Sequence, residues 1–187
     1  VSRRITVAIT GASGAIYAQR LLDNLDPSVH DIHLVMSSYA HQVIGQELKG
    51  GLQVSTAVKQ HQLKSMNAPF ASGSNPSDVM VVIPCSMGTL GRIAHGYSDN
   101  ILLRAADVML KEKKKLLLVV RETPYNLIHI RNMELLCLAG ASIMPASPHF
   151  YHRPESIEAL ADTVVSRVLD HLGIEHKLVS RWKEEPE

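Results

Sequence analysis

The stretch Ile5 to Leu22, ITVAITGASGAIYAQRLL, decides the fold. Ile5 to Thr10 reads as a buried strand, Gly11-Ala12-Ser13-Gly14 as a tight turn, and the residues from Ala15 onward as a helix. A strand that feeds a helix through glycines aims free backbone N–H groups and the positive helix end at one spot. That spot suits an anion, most often a phosphate. Gly11 lets the chain turn sharply, Gly14 lets the helix pack close, and Ser13 adds a hydroxyl at the mouth of the turn. The spacing is G-x-x-G, short of the G-x-G-x-x-G fingerprint for dinucleotides, so an ordinary strand–helix turn without a ligand stays open at this point.

Working outward, the first helix is predicted over Ala15 to Leu25 and is closed by Asp26-Pro27. The second strand, His33 to Met36, ends in Ser37-Ser38. A dinucleotide fold would place an acidic residue there for the ribose. Two serines point away from NAD and toward a smaller group, and capping of the next helix by Ser37 is an equally good reading. The helix Tyr39 to Leu48 carries Glu47 and stops at Gly50-Gly51. Leu52 to Asp78 has weak periodicity, with a short strand or helix near Val54 to Lys59 and a loop at Ser72 to Pro76. A loop of that length often belongs to an active site.

Val79 to Ile83 is a buried strand ended by Pro84-Cys85-Ser86, and the following MGTLGRIAHG is rich in small residues, which suits close approach of backbone to a flat ligand. Then come a helix over Leu102 to Lys113, a strand over Leu116 to Val120 closed by Arg121-Glu122-Thr123-Pro124, and a helix over Leu127 to Leu138. A strand at Ser142 to Met144, a loop at Pro148 to Pro154 with Tyr151 and Arg153, and a helix at Glu155 to Leu172 complete the pattern. The tail holds the only tryptophan, Trp182.

Strands alternate with helices five times, and the strands are continuous apolar runs, as in parallel strands covered on both faces. The prediction is one α/β domain over residues 1–187, a doubly wound, mainly parallel sheet of Rossmann or flavodoxin type. Ligands in such sheets sit outside the carboxyl ends of the strands. Those ends are Gly11 to Gly14, Ser37-Ser38, Pro84 to Ser86, Arg121 to Thr123 and the loop after Pro145, where the unusual chemistry of this sequence also lies. With a net charge of +1, bulk charge makes no case for nucleic acid. Two cysteines without a C-x-x-C pair, no room for a signal peptide ahead of the first strand and no apolar run of membrane-spanning length predict a cytoplasmic protein.

Arg121-Glu122 is the sharpest pair: an arginine can bind phosphate and a carboxylate can move a proton. Cys85 has no visible paired base and reads as a buried inert thiol. His149 and His152 lack further metal ligands and read as solvated or hydrogen-bonded, so no metal site is predicted. Lys111 belongs to a basic run that complements a helix dipole, with the option of turning inward, and Arg167 is solvated by default.

Taken together, GASGAIYAQRLL, PCSMGTL, LLRAADVMLKE, VRETP and FYHRP resemble the UbiX family of flavin prenyltransferases. The similarity runs from the first strand to Trp182 and is weakest from Leu52 to Ala71. It implies that reduced FMN accepts a dimethylallyl group from dimethylallyl phosphate at N5 and then C6. The product, prenylated FMN, would serve a UbiD-type decarboxylase, as in ubiquinone biosynthesis. It implies a homododecamer with sites where subunits meet, and a tail, residues 173–187, docked on a neighbouring subunit. Ser13 and Ser37 match flavin-binding serines, with Gly11, Ala12 and Gly14 in the same turn; Ser86, Met87 and Thr89 match the segment along the flavin. Lys111, Arg121, Tyr151 and Arg167 match the group that holds the substrate phosphate, with Arg121 also beside the cofactor. Glu47 matches the acid for the leaving phosphate, Glu122 with Ser13 the pair that handles protons near N5, and Trp182 an aromatic face beside the prenyl group. The sequence has no aspartate-rich diphosphate motif, which suggests a monophosphate and a metal-independent reaction. Two rivals remain: an FMN-dependent cysteine decarboxylase, whose Asn-containing segment is replaced here by Pro84 to Thr89, and a non-catalytic FMN-binding module.

Overall fold

The computed structural model describes residues 1–179. Six strands form one sheet in the order β3-β2-β1-β4-β5-β6, and every neighbouring pair is parallel. They are β1 (Arg4–Ile9), β2 (Asp31–Met36), β3 (Lys59–His61), β4 (Val79–Cys85), β5 (Lys115–Val120) and β6 (Ser142–Pro145). The helices are α1 (Ala15–Asp23), α2 (Ser38–Glu47), α3 (Met87–Ala94), α4 (Ile101–Lys111), α5 (Leu127–Leu138) and α6 (Ile157–Leu172). This is the doubly wound order of the Rossmann type, with the direction of winding reversing between β1 and β4.

Alternation along the strands builds two cores. Ile5, Val7 and Ile9 of β1 face the side covered by α1 and α6, while Ala8, Met80 and Val82 face α3 and α4. With both faces covered, apolar residues occupy consecutive strand positions. A two-pronged pair, Arg20 to Asp162 at 2.8 Å through both Nε and Nη2, ties α1 to α6.

Two parts of the chain differ from the sequence-based expectation. The small-residue run after β4 is a helix, α3, capped by the Ser86 hydroxyl and carrying Met87, Leu90 and Ile93 on its buried side. Gly91 serves helix packing, because a Cβ there would stand 3.1 Å from Asn132 Nδ2 of α5; Gly88, at the first turn, faces open space. The weakly periodic segment supplies a sixth, edge strand, β3. Rings hold it in place: His33 Nδ1 and His61 Nε2 are 2.8 Å apart, and Phe70 stands edge-on to both at 5.2 and 5.1 Å. Asp31, whose carboxyl lies far below the usual range despite partial burial, gathers Lys59, His33 and Arg4. The later part of this segment, from Leu63 to Ala71, packs on α4, through Ile101 N–H to the Leu63 carbonyl and Arg104 Nε to the Ala71 carbonyl, each 3.0 Å. Only its start, at Gln53, reaches the cleft described next.

Candidate active site

Thr10 staples the switch point. Its hydroxyl donates to the Pro84 carbonyl at 2.7 Å and accepts from the Ser86 N–H at 2.9 Å, joining the ends of β1 and β4. Helix α2 lies beside the β1–α1 turn. A Cβ on Gly11 would meet Tyr39 Cβ at 2.4 Å and the Tyr39 backbone at 3.3 Å, so glycine is needed here for the close approach of α2. Replacing Gly11 by Ala must push α2 away. The expected cost is about 1–3 kcal/mol of stability, together with weakened flavin binding. Thermal denaturation and fluorescence titration with FMN check this; unchanged values would mean that α2 yields freely.

The far end of α2 explains what the turn binds. Both Gly14 N–H and Ala15 N–H donate to Glu47 Oε2 at 2.8 Å. Gly14 adopts φ 111°, a left-handed conformation that favours glycine. The anion cradle expected for a phosphate is therefore filled by a carboxylate of the chain itself. Partial burial pushes the Glu47 pKa up. The Ser13 hydroxyl, the two backbone N–H groups and the positive charge of Arg121 outweigh that and hold it below the ordinary glutamate value. Two other helix starts stand at the strand ends, each with a serine cap. At α2, Ser37 caps Ala40 N–H at 3.2 Å; at α3, Ser86 caps Thr89 N–H at 3.3 Å.

Ser13, Gly14, Tyr17, Glu47 and Arg121 line one cleft of about 880 Å³, closed on the far side by Ala146 and the start of α6. The volume, the Ser13 hydroxyl, the Arg121 guanidinium and the apolar wall fit a flavin mononucleotide, while Ser37, Ser86, Met87 and Thr89 stand at the neighbouring strand ends outside this lining. Tyr17 was not evident from the motif, although its place three residues after Gly14 puts it over the turn; its ring lies where a Gly14 Cβ would fall, at 2.8 Å. Burial pushes its phenol up, against the pull of Arg121. Glu122 follows Arg121 and accepts the Thr123 N–H at 3.0 Å. Met87 is buried under the start of α3, and the Ser86 hydroxyl bonds Thr89 Oγ1 at 3.1 Å. Cys85 is fully buried and its thiol is pushed up to about 12 by that burial, so it is not a nucleophile.

Other expected residues lie elsewhere in the same chain. Lys111 is at the opposite end of the sheet, on the last turn of α4 before β5 begins, where it pairs with Glu112. It therefore does not join Arg121 within one chain: β5 alone, six residues long, separates the two ends by about 20 Å. Arg167 is on α6 beyond the edge strand β6, paired with Asp170 Oδ2 at 2.6 Å, and Tyr151 is exposed in the loop before that helix. Trp182 lies outside the described residues. Of the tail, Ile174 and Leu178 pack against the core of their own chain. Among the described residues, no group of three His, Cys, Asp or Glu side chains could hold a metal ion, and no helix is long and apolar enough to cross a membrane.

Known proteins share this arrangement. The flavoprotein family profile matches residues 1–169. The flavin prenyltransferase UbiX of Halalkalibacterium halodurans is 46% identical, over 96% of this chain and 93% of its own length. The crystal structure of AnUbiX in complex with FMN and dimethylallyl pyrophosphate is similar over all of both chains, with a TM-score of 0.91 and 41% identity. A dodecameric FMN-dependent UbiX-like decarboxylase from Escherichia coli matches 97% of this chain and 100% of its own, with a TM-score of 0.89 and 39% identity. A switch-point cleft with a serine, a captive glutamate and an arginine at its mouth, on a chain this similar to those proteins, places the sequence in the flavoprotein family, among the UbiX flavin prenyltransferases.

Proposed function

We infer that this chain transfers a dimethylallyl group from dimethylallyl phosphate to reduced FMN. The observation that carries the reading is the set Ser13–Glu47–Arg121 at the mouth of an FMN-sized cleft, in a chain of UbiX-type sequence. Reduced FMN, when bound, supplies the carbon and nitrogen positions that accept the prenyl group. The chain's own residues manage charge and protons around that exchange. Arg121, with Lys111, Tyr151 and Arg167, meets the phosphate as it departs with the electron pair of the broken C–O bond, so positive charge is strongest where negative charge grows. Ser13 and Glu122 serve as the proton-handling pair at the flavin edge, and Trp182 as the aromatic wall for the prenyl group.

Glu47 needs a more specific role than that of a resting acid. Held by Ser13, Gly14, Ala15 and Arg121, it stands ionised. It becomes a proton donor only when an anionic phosphate beside it raises its pKa. Glu47 and the phosphate thus share one proton, which leaves with the phosphate.

Because Lys111 lies at the opposite end of the sheet from Arg121 in one chain, the set of residues for the phosphate closes only when subunits meet. The exposed apolar side chains of α5, including Leu127, Ile128, Ile130 and Leu138, mark a surface for another copy. A dodecamer, like that of the Escherichia coli relative, accommodates both. The remaining tail, with Trp182, would dock on a neighbour. The product is handed to a UbiD-type decarboxylase, and two free cysteines accord with work in the cytoplasm.

Anaerobic incubation with reduced FMN and dimethylallyl monophosphate should yield a flavin heavier by one prenyl unit, read by mass spectrometry. A parallel reaction with the diphosphate decides which substrate is preferred. An unchanged flavin mass with both would leave only flavin binding.

A further inference from the structure

Between the exit of β6 and α6 lies a second cavity, of about 270 Å³, walled by Met144, Ser147, His149, Thr163 and Arg167. It is several times the roughly 30 Å³ share of one liquid water, room enough for a phosphoryl group. His149 is fixed to its wall by the backbone. Its N–H donates to Thr163 Oγ1 at 3.2 Å, and that hydroxyl donates to the Leu160 carbonyl at 2.7 Å. Its ring packs against Tyr151 and His152, with centroids 5.7 and 5.5 Å away. Yet its Nδ1 is shielded from solvent and has no hydrogen-bond partner. Such a group is costly unless something pairs with it.

The surroundings say what would pair. The groups that act on His149 electrostatically are His152 in its own loop and Arg167 on α6; both are basic and, after burial itself, both depress its protonation. Arg167 itself is held to Asp170 Oδ2 at 2.6 Å, and among the described residues no acid acts on His149. A small cavity lined by a guanidinium, an imidazole and a serine is chemistry for an oxyanion, and a modest turn of the His149 ring would bring its unpaired nitrogen to that ligand.

We propose that His149 is a further ligand of the substrate phosphate, its Nδ1 binding the same phosphoryl group that Arg167 holds. The proposal rests on the reading of Arg167 as a phosphate-binding residue. In sequence terms His149 reads as solvated or hydrogen-bonded; the cavity offers it a ligand. Residues of the β6–α6 loop then help to set how tightly the allylic phosphate is held.

The test uses the intact, FMN-loaded oligomer and inorganic phosphate as probe, titrated by calorimetry. His149→Phe keeps the ring packing and removes both nitrogens; it should weaken phosphate binding about tenfold, the worth of one hydrogen bond to a charged group. His149→Asn, whose amide reaches the place of Nδ1, should recover most of that loss. FMN affinity reports that each variant is assembled. Should His149→Phe fail to assemble, His149→Gln, whose amide reaches the place of Nε2 instead, takes over with the same expected loss. Wild-type phosphate affinity in the Phe or Gln variant overturns the proposal while leaving the Arg167 reading intact. An Asn variant as weak as the Phe variant overturns the assignment to Nδ1. Undiminished binding by Arg167→Ala, or none by the wild type, overturns the underlying reading and the proposal with it.

Discussion

Chains carrying Lys111→Ala and chains carrying Arg121→Ala, each nearly inactive as a homo-oligomer, will recover activity when they assemble together. The reason is geometric. Arg121 follows the carboxyl end of β5, and Lys111 precedes its amino end by one short turn. Both can touch one phosphate only if they come from different copies. Removing a cation that faces the departing phosphate should lower turnover by about 10²–10³-fold in each homo-oligomer. In a random one-to-one assembly, a site needs its Arg121 from one kind of chain and its Lys111 from the other. That condition holds for about a quarter of sites, so activity near a quarter of wild type is expected. The measurement is prenyl transfer by oligomers dissociated and reassembled as a mixture, against the two variants mixed without dissociation. If reassembly leaves turnover at the parental level, both residues act within one subunit, or Lys111 does not act at all.

The same separation shows where sequence reading reaches its limit. The apolar strands, the glycine turn and the serines after β2 and β4 were legible because each follows from local pattern: period, cap and breaker. The doubly wound sheet followed from those. Helix α3 was obscured by Gly88 and Gly91, whose low helix propensity hid a Met87–Leu90–Ile93 stripe that fixes the helix by burial. Strand β3 was obscured for a different reason. It is held by the His33–His61–Phe70 rings and the charges around Asp31, and none of these gives a period-two apolar signal. At the site, a G-x-x-G turn reads as an anion cradle, which it is. That the anion is Glu47, some thirty residues downstream, depends on how α2 lies across the turn, and Tyr39 against Gly11 is what sets that angle. Local sequence shows the donors and cannot show a distant acceptor.

That captive carboxylate leads to the second large effect. In Glu47→Gln, the amide oxygen can still accept from Gly14 and Ala15 N–H, so the turn, the fold and FMN binding should persist. The negative charge and the exchangeable proton are gone, and turnover should fall by about 10²–10⁴-fold, the usual worth of general acid–base help. Glu47→Ala removes the acceptor as well. It leaves two N–H groups at the start of α1 without their cap and should also cost about 1 kcal/mol of stability. The pH dependence separates charge from geometry. Since the folded-state pKa of Glu47 lies below its ordinary value, its contribution is complete above the ordinary glutamate pKa and disappears as the pH falls through the lower, folded one. The difference in thermal stability between wild type and Glu47→Gln should therefore be constant from neutral to alkaline pH and vanish only in acid. A difference that disappears instead around neutral pH would show that the stabilisation does not follow the Glu47 carboxylate. Equal turnover in wild type and Glu47→Gln would reduce Glu47 to a helix cap and leave the proton of the departing phosphate to come from solvent or from Glu122.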